Sequence, residues 1–192
     1  SLELYGSWKF LTFHTLSLQL LAYTLHVVAH FIRPLLGLRD LVYTALAFPL
    51  ASIVFYTFWS VWHVLGRELI FPSVLDSVFP SWLNHNVHTV ILPMNFLISF
   101  LVHHKYYKKG PVLLLTSVAL YTALLYHIKA KTGHFVYGYL DYFDDTTRVF
   151  YFAATGLFAY VMYKSGELLT YAIHGKRVSE GVRSTAHKRK HR

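Results

Sequence analysis

Five stretches of the sequence are long and apolar enough to cross a membrane as helices, and they constrain the fold more than any other feature. A spanning helix needs roughly 20 mostly apolar residues and must satisfy its own backbone polar groups in the hydrocarbon core. Only 14% of the residues are charged, against about 25% in soluble domains. We therefore predict an all-α, multi-pass transmembrane helix bundle, whose five spans lie at about Trp8–Ile32, Leu41–Leu65, Trp82–Val102, Val112–Ile128 and Val149–Ile173.

The positive charges fall mainly on one side of these spans. One side holds five of the 18 Lys and Arg residues and the other side holds the remaining thirteen, most of them in the 103–111 loop and the C-terminal tail. The positive-inside rule assigns the richer side to the cytoplasm. We predict an integral membrane protein with a transmembrane domain, 1–174, and a basic cytoplasmic tail, 175–192. The formal net charge of +9 then reflects topology, and the predicted partners are membrane lipids and no nucleic acid.

Polar residues near the non-cytoplasmic ends of the spans suggest a catalytic pair. Thr12 lies about four residues into the first span and His88 about six residues into the third, which places both roughly 6–9 Å deep. A neutral His is the usual base for a hydroxyl nucleophile, so these two are the candidate catalytic residues. Lys9, Asn84 and Asn95 lie one or two helical turns from them and are candidate oxyanion donors or supports.

Simpler interpretations of the same residues stay open from periodicity alone. A Thr inside a span often bonds to a carbonyl of its own helix, and a His near an interface often only packs there or reaches toward water. Asn84 also suits the cap of the third span. Pro93 lacks the N–H that would bond the carbonyl of Thr89, which predicts a loosened helix beside His88.

Histidines at the cytoplasmic ends raise the possibility of a metal site. The segment "HVVAH" places His26 and His30 one helical turn apart, and "HHK" adds His103 and His104. Membrane di-iron oxygenases use such clusters, because imidazole binds iron and zinc well, but their histidine motifs are more numerous and denser. We predict no metal and no cofactor, with a metal-dependent lipid oxidase as an alternative. The chain has no cysteine, which excludes thiolate metal sites and a Cys nucleophile.

Several motifs of the chain resemble one family of membrane proteins. They are "GSWKFLTF" (Gly6–Phe13), "RDLVYTALAFP" (Arg39–Pro49) and "RELIFPSVLDSVFPSWLNHNVHTVILP" (Arg67–Pro93), with weaker similarity in "TGHFVYGYLDYF" (Thr132–Phe143) and "SGELL" (Ser165–Leu169). These motifs resemble the family of the androgen-induced gene and androgen-dependent TFPI-regulating proteins. The resemblance covers most of the chain up to about Tyr171.

The resemblance implies a membrane threonine hydrolase that cleaves fatty acid esters of hydroxy fatty acids. The family Thr corresponds to Thr12 and the family His to His88, so residues 1–174 are expected to form the hydrolase domain. The family also implies a further apolar segment upstream, and a location in the endoplasmic reticulum or plasma membrane. The chain departs from the family at "TFHT", where "TFID" is usual, and at "VYG" (Val136–Gly138), where "VYP" is usual.

These inferences combine into one predicted mechanism. His88 takes the proton of Thr12, Thr12 attacks the ester carbonyl, and water then releases the acyl group. The ester-linked lipid substrate enters from the bilayer, and Trp59, Trp62 and Phe96 are candidates to line its acyl pocket, although aromatic residues near interfaces often only pack or anchor a helix. The alternative is a membrane lipid-binding or adaptor protein without catalysis.

Overall fold

The computed structural model describes the backbone of residues 5–190 and the side chains of residues 5–175. No β-strand occurs in residues 5–190, so the all-α prediction is confirmed for that range. The α-helices are α1 (Leu11–Phe31), α2 (Leu36–Val42), α3 (Phe48–Val64), α4 (Ser81–His85), α5 (Ile91–Leu101), α6 (Gly110–Thr132) and α7 (Asp145–Lys190). Short 3-10 helices lie at Gly6–Lys9, Arg33–Leu35, Arg67–Leu69, Ser73–Ser77 and Gly138–Asp141.

Two π-helices join α-helices end to end. Tyr43–Ala47 connects α2 to α3 in one rod, Arg33–Val64, which we call the central helix. Asn86–Val90 connects α4 to α5 in a second rod, Ser81–Leu101, which we call the His88 helix.

Both π-helices have a local cause in the sequence. Pro49 and Pro93 have no N–H, so the carbonyls of Ala45 and Thr89, four residues earlier, lose their α-helical partners. Each of these carbonyls lies inside one of the two π-helices, where bonding between residues five apart replaces the α-helical pattern. The loosened helix predicted beside His88 is thus a π-helix that contains His88 itself.

Three of the helices are long and apolar enough to cross a membrane, namely α1, the central helix and α6. They match the first, second and fourth predicted spans, and they support the prediction of a helical membrane protein. The third and fifth predicted spans are also helical, as the His88 helix and α7. The His88 helix is less apolar because it carries the polar residues of the candidate site, Asn84, His85, Asn86, His88 and Asn95.

Helix α7 continues to Lys190, well past the end predicted at Ile173. Apart from Gly175, the side chains of the predicted tail, 175–192, lie outside the described part of the chain. Its cytoplasmic placement and its role as a separate segment remain predictions.

The central helix lies in the middle of the bundle and α1 and α6 lie at its periphery. In the central helix 72% of the most apolar stretch is buried, against 22% in α1 and 17% in α6. The central helix packs against α1, α5 and α7, and α6 packs against α7. Large apolar side chains such as Leu20 and Leu120 stay exposed on the two peripheral helices, as expected for surfaces that face lipid chains.

Candidate active site

Three polar side chains form a hydrogen-bonded chain between α1 and the His88 helix. The Oγ1 of Thr12 lies 3.2 Å from the Nε2 of His88. The Nδ1 of the same ring lies 2.8 Å from the Oδ1 of Asn84 and 3.2 Å from the Asn84 carbonyl. The structure therefore brings together the two residues that matched depth had paired, and it adds Asn84 behind the imidazole.

The surroundings of His88 fix which ring nitrogen carries the proton. Both oxygens that face Nδ1 belong to Asn84 and can only accept, so Nδ1–H donates to them and Nε2 keeps its lone pair. The ring is stacked on Phe58, with centroids 3.7 Å apart and planes 13° apart. With His88 only 8% exposed, the ring is held with its basic nitrogen toward the Thr12 hydroxyl.

Thr12 is the second residue of α1, and this position explains why its hydroxyl is available. Several deeper hydroxyls in spans bond to the carbonyl four residues earlier, as Thr44 does to Asp40 and Ser52 to Phe48. The residue four before Thr12 is Trp8, which lies outside α1. The Thr12 side chain turns to His88 instead, so the interpretation of Thr12 as a hydroxyl that bonds back to its own helix does not describe this structure.

Thr12 and His88 both line one large cavity of about 790 Å³. Its wall is mostly apolar and includes a helical stripe of the central helix, Leu50, Ile53, Val54, Thr57 and Phe58. Leu120 of α6 lines the cavity and is also 68% exposed. The cavity wall thus includes a side chain on the exposed side of α6, and the volume and polarity of the cavity suit a fatty acyl chain.

The residues that were predicted to line the acyl pocket lie elsewhere. Trp59 and Trp62 line a separate, smaller cavity of about 420 Å³ together with Arg67 and Asp76. Phe96 packs edge-on against Phe48, with ring centroids 5.5 Å apart. None of these three aromatic residues is therefore part of the large cavity's wall, although Trp62 lies one helical turn beyond Phe58, with ring centroids 5.4 Å apart, and stacks on Phe71, which lines both cavities.

Asn95 belongs to a buried network rather than to the site. Its Nδ2 donates to the Oε1 of Gln19 at 3.1 Å and to the carbonyl of Ile91 at 2.7 Å, and the Nε2 of Gln19 donates to the carbonyl of Ala47 at 2.8 Å. Both amide hydrogens of Asn95 are thus engaged about two turns deeper than His88. In this arrangement Asn95 ties three helices together and offers no donor to a group at Thr12.

Lys9 lies at the end of the 3-10 helix that precedes α1. Its ammonium group lies 5.3 Å from the centroid of the Phe10 ring, and its carbonyl accepts the hydroxyl of Tyr121 at 2.9 Å. Its side chain is not part of the cavity wall, which includes the neighbouring residues Phe10 and Leu11.

Four tyrosines in the cavity wall were not predicted as site residues. Tyr121 and Tyr137 have their hydroxyls 3.2 Å apart, and those of Tyr139 and Tyr151 are 2.9 Å apart. Tyr137 and Tyr139 come from the "VYGYLDYF" segment, whose aromatic residues resemble an ordinary interface belt in sequence. The similarity of this segment to the family was the available signal, but it assigned no role to the tyrosines.

The histidines at the opposite end of the bundle form a pair rather than a metal cluster. The Nε2 atoms of His26 and His104 lie 2.8 Å apart, and His104 is stacked on Tyr43. Burial lowers the pKa of His104 to about 2, which keeps this loop imidazole neutral. Within the described residues, no three His, Asp or Glu side chains converge as metal ligands.

Comparison with known proteins gives a consistent family result. A model of the FAR-17a/AIG1-like protein family matches residues 2–171. The human androgen-induced gene 1 protein is 30% identical over 182 residues, which cover 85% of this chain and 76% of that protein. The androgen-dependent TFPI-regulating proteins of human and mouse are 31% and 29% identical, with 85% and 86% of this chain and 76% of each relative covered. No solved structure matches the chain.

Proposed function

We propose that this chain, which belongs to the FAR-17a/AIG1-like family, is an intramembrane ester hydrolase. Its proposed substrates are fatty acid esters of hydroxy fatty acids, with Thr12 as the nucleophile and His88 as the general base. The observation that carries the proposal is the chain of hydrogen bonds from Thr12 through His88 to Asn84. It has the order of nucleophile, base and orienting group that acyl-transfer enzymes on unrelated folds share.

The first step follows from the tautomer of His88. The Thr12 hydroxyl donates to Nε2, so the imidazole can accept that proton as the oxygen attacks the ester carbonyl. The carbonyl electrons move to its oxygen, the ester bond to the alcohol breaks, and His88 returns the proton to the departing alkoxide. The products of this step are the free hydroxy acid and an acyl group on Thr12. His88 then takes a proton from water as the water oxygen attacks that acyl group, the bond between the acyl carbon and Thr12 Oγ1 breaks, His88 returns the proton to Thr12, and the fatty acid leaves.

A neutral orienting residue suits a base inside a membrane. Asn84 is only 5% exposed, and an ionised carboxylate at this place would need compensation for its lost hydration. The Asn84 amide holds the same ring nitrogen without that cost. It stabilises the imidazolium less than a carboxylate does, so we expect a modest turnover rate.

The oxyanion is proposed to form at the N-terminus of α1. Thr12 stands in the first turn of α1, where the helix dipole is positive. The N–H groups of Phe13 and His14 already bond to the Phe10 carbonyl and that of Leu11 to Tyr137, so the dipole is the helix's proposed contribution. An oxygen on the carbon that Thr12 attacks would form next to this positive end. This location replaces the candidates Lys9, Asn84 and Asn95, none of which lines the cavity that contains Thr12.

The cavity supports a lipid as the substrate. Its wall is mostly apolar, includes Leu120 on the exposed side of α6, and contains the Thr12–His88 pair. An acyl chain can occupy its interior with the ester carbonyl beside Thr12, so the substrate need not leave the membrane. The same cavity also favours a second function, lipid binding without turnover.

Covalent labelling separates these two functions. We expect an ester-mimicking fluorophosphonate to label Thr12 of the purified protein, and Thr12→Ala and His88→Ala to abolish both labelling and hydrolysis of a branched fatty acid ester. Thr15→Ala and His85→Ala are matched controls, because neither residue lines the large cavity; His85 bonds to Thr89 and lines the smaller cavity instead. A folded parent protein that binds the ester lipid but is neither labelled nor hydrolytic would refute the proposed function.

A further inference from the structure

The loop between α6 and α7 places a phenol beside the proposed nucleophile. Tyr137 lines the same cavity as Thr12 and His88. Its Oη accepts the backbone N–H of Leu11 at 3.0 Å, and Leu11 directly precedes Thr12. A residue distant in sequence thus lies at the N-terminus of α1, where the proposed oxyanion forms.

The hydrogen-bond partners of the two neighbouring phenols indicate that the Tyr137 hydroxyl is available as a donor. Tyr121 donates its proton to the carbonyl of Lys9 at 2.9 Å, since a carbonyl is the nearer and better acceptor. The 3.2 Å contact between Tyr121 and Tyr137 then takes its proton from Tyr137. This contact is long for two hydroxyl groups, so a negatively charged oxygen in the cavity would be the stronger acceptor.

The phenol is also suited to donate rather than to ionise. Burial raises the pKa of the Tyr137 hydroxyl, which therefore keeps its proton at neutral pH. Tyr137 lies outside the helices and is stacked on Tyr139, with ring centroids 5.8 Å apart. The Leu11 amide and this stacking hold the phenol oxygen in place before any substrate binds, as electrostatic stabilisation of a transition state requires.

We propose that Tyr137 is a catalytic residue that donates its hydroxyl proton in a hydrogen bond to the oxyanion formed when Thr12 attacks the ester. This inference rests on the proposed function. The proton stays on Tyr137 throughout, because the oxyanion returns its electrons to the carbonyl when the alkoxide leaves. The "VYG" segment, which departs from the usual family pattern only at Gly138, thereby gains a role in the chemistry.

The test compares Tyr137→Phe with the parent protein in hydrolysis of a branched fatty acid ester. We expect kcat to fall about 100-fold, as for loss of one oxyanion donor, while KM changes by less than about threefold. The rate of Thr12 labelling by a fluorophosphonate should fall in parallel. Tyr163→Phe is the matched control, because it removes a tyrosine hydroxyl that bonds to the Tyr107 carbonyl at the opposite end of the bundle, and it should keep the parent kcat.

A second variant distinguishes donation from a merely structural tie. Tyr121→Phe also removes a hydrogen bond to the start of α1, at Lys9. The kcat of Tyr121→Phe should stay at least ~10-fold above that of Tyr137→Phe. Equal losses in the two variants, or an unchanged kcat in Tyr137→Phe while Thr12 is still labelled, would overturn the role of Tyr137 alone. Absence of Thr12 labelling in the parent protein would instead overturn the proposed function and this inference together.

Discussion

The hydrogen bond between Asn84 and His88 can be tested by one substitution, and the structure sets an upper limit on the free energy that this substitution should cost. Asn84→Ala removes the side-chain oxygen that lies 2.8 Å from Nδ1, but the Asn84 carbonyl remains at 3.2 Å as a second acceptor. The ring therefore keeps the productive tautomer and loses one of its two restraints. The expected loss is about 1–1.5 kcal/mol, the net worth of one hydrogen bond.

This free energy predicts a moderate kinetic effect. If the whole loss falls on the transition state, kcat decreases roughly 5- to 12-fold. KM should stay the same, because Asn84 does not line the cavity that we assign to the substrate. The assay is hydrolysis of a branched fatty acid ester in nanodiscs, with the thermal unfolding midpoint as a check that the variant is folded.

Two results would refute this reasoning. An unchanged kcat in folded Asn84→Ala protein would show that the side chain does not orient His88. A loss as large as that of His88→Ala would show that the backbone carbonyl provides no second restraint. In the His88→Ala background, Asn84→Ala should cost nothing further, because the two residues act as one unit.

Two further predictions concern the cavity and the packing of α7. Leu18 lines the cavity about 9 Å below Thr12 along α1, so Leu18→Trp should reduce hydrolysis of long acyl chains more than that of short ones. Leu20→Trp, on the exposed face of the same helix, should leave both rates unchanged. Equal effects of Leu18→Trp on both chain lengths would argue against this path for the acyl chain. Gly166→Ala places a Cβ 2.5 Å from the Tyr106 hydroxyl and should lower the free energy of unfolding by about 1–3 kcal/mol. Gly156→Ala, in the same helix with its nearest contact at 3.8 Å, should be neutral or stabilising in the same thermal unfolding measurement, and equal loss in both would contradict the packing argument.

The depth of Thr12 and His88 in the membrane can be predicted from the sequence, but the directions in which their side chains point around the helix axes cannot. The rise per residue of a helix is fixed, so two residues at similar distances from the same membrane face lie at similar levels. Rotation about the helix axis depends on every turn before the residue, and the π-helix at Asn86–Val90 changes that rotation. Pro93 indicates that the helix is loosened there, yet it does not indicate which face results.

The residues that sequence reasoning misplaced fail for two different physical reasons. Asn95 shares a face with His88, but seven residues along a helix is roughly 10 Å, so the depth argument itself separates it from Thr12. Trp59 and Trp62 fail because the central helix is apolar on all sides. Periodicity then cannot identify the stripe from Leu50 to Phe58 that lines the cavity. It also cannot show that the cavity ends at Phe58, one turn before Trp62 on the same face.

Tyr137 shows the limit of pattern-based prediction most clearly. It lies in a loop, where no helical or strand period relates position to direction. Its contact with Leu11 joins residues 126 positions apart, and only the folded chain brings them together. The resemblance to a family identifies the segment, but the hydrogen-bond partners are needed to assign a role to the phenol.

The polar groups of the His88 helix connect the stability of the bundle to the chemistry of its site. This helix carries the amides and imidazoles that make it less apolar than its neighbours, and unpaired polar groups in hydrocarbon cost several kcal/mol each. Two layers of hydrogen bonds to α1 offset that cost, Thr12 with His88 in the upper layer and Gln19 with Asn95 in the lower. The lower layer makes no contact with the proposed reaction, yet it fixes the register of the two helices on which the upper layer depends. Variants of Gln19 should therefore reduce turnover indirectly, because they lengthen the Thr12–His88 distance and lower the fraction of folded protein. A second-site change that restores the packing should restore turnover in a Gln19 variant. No such change can restore turnover in Thr12→Ala, because the nucleophile itself is missing.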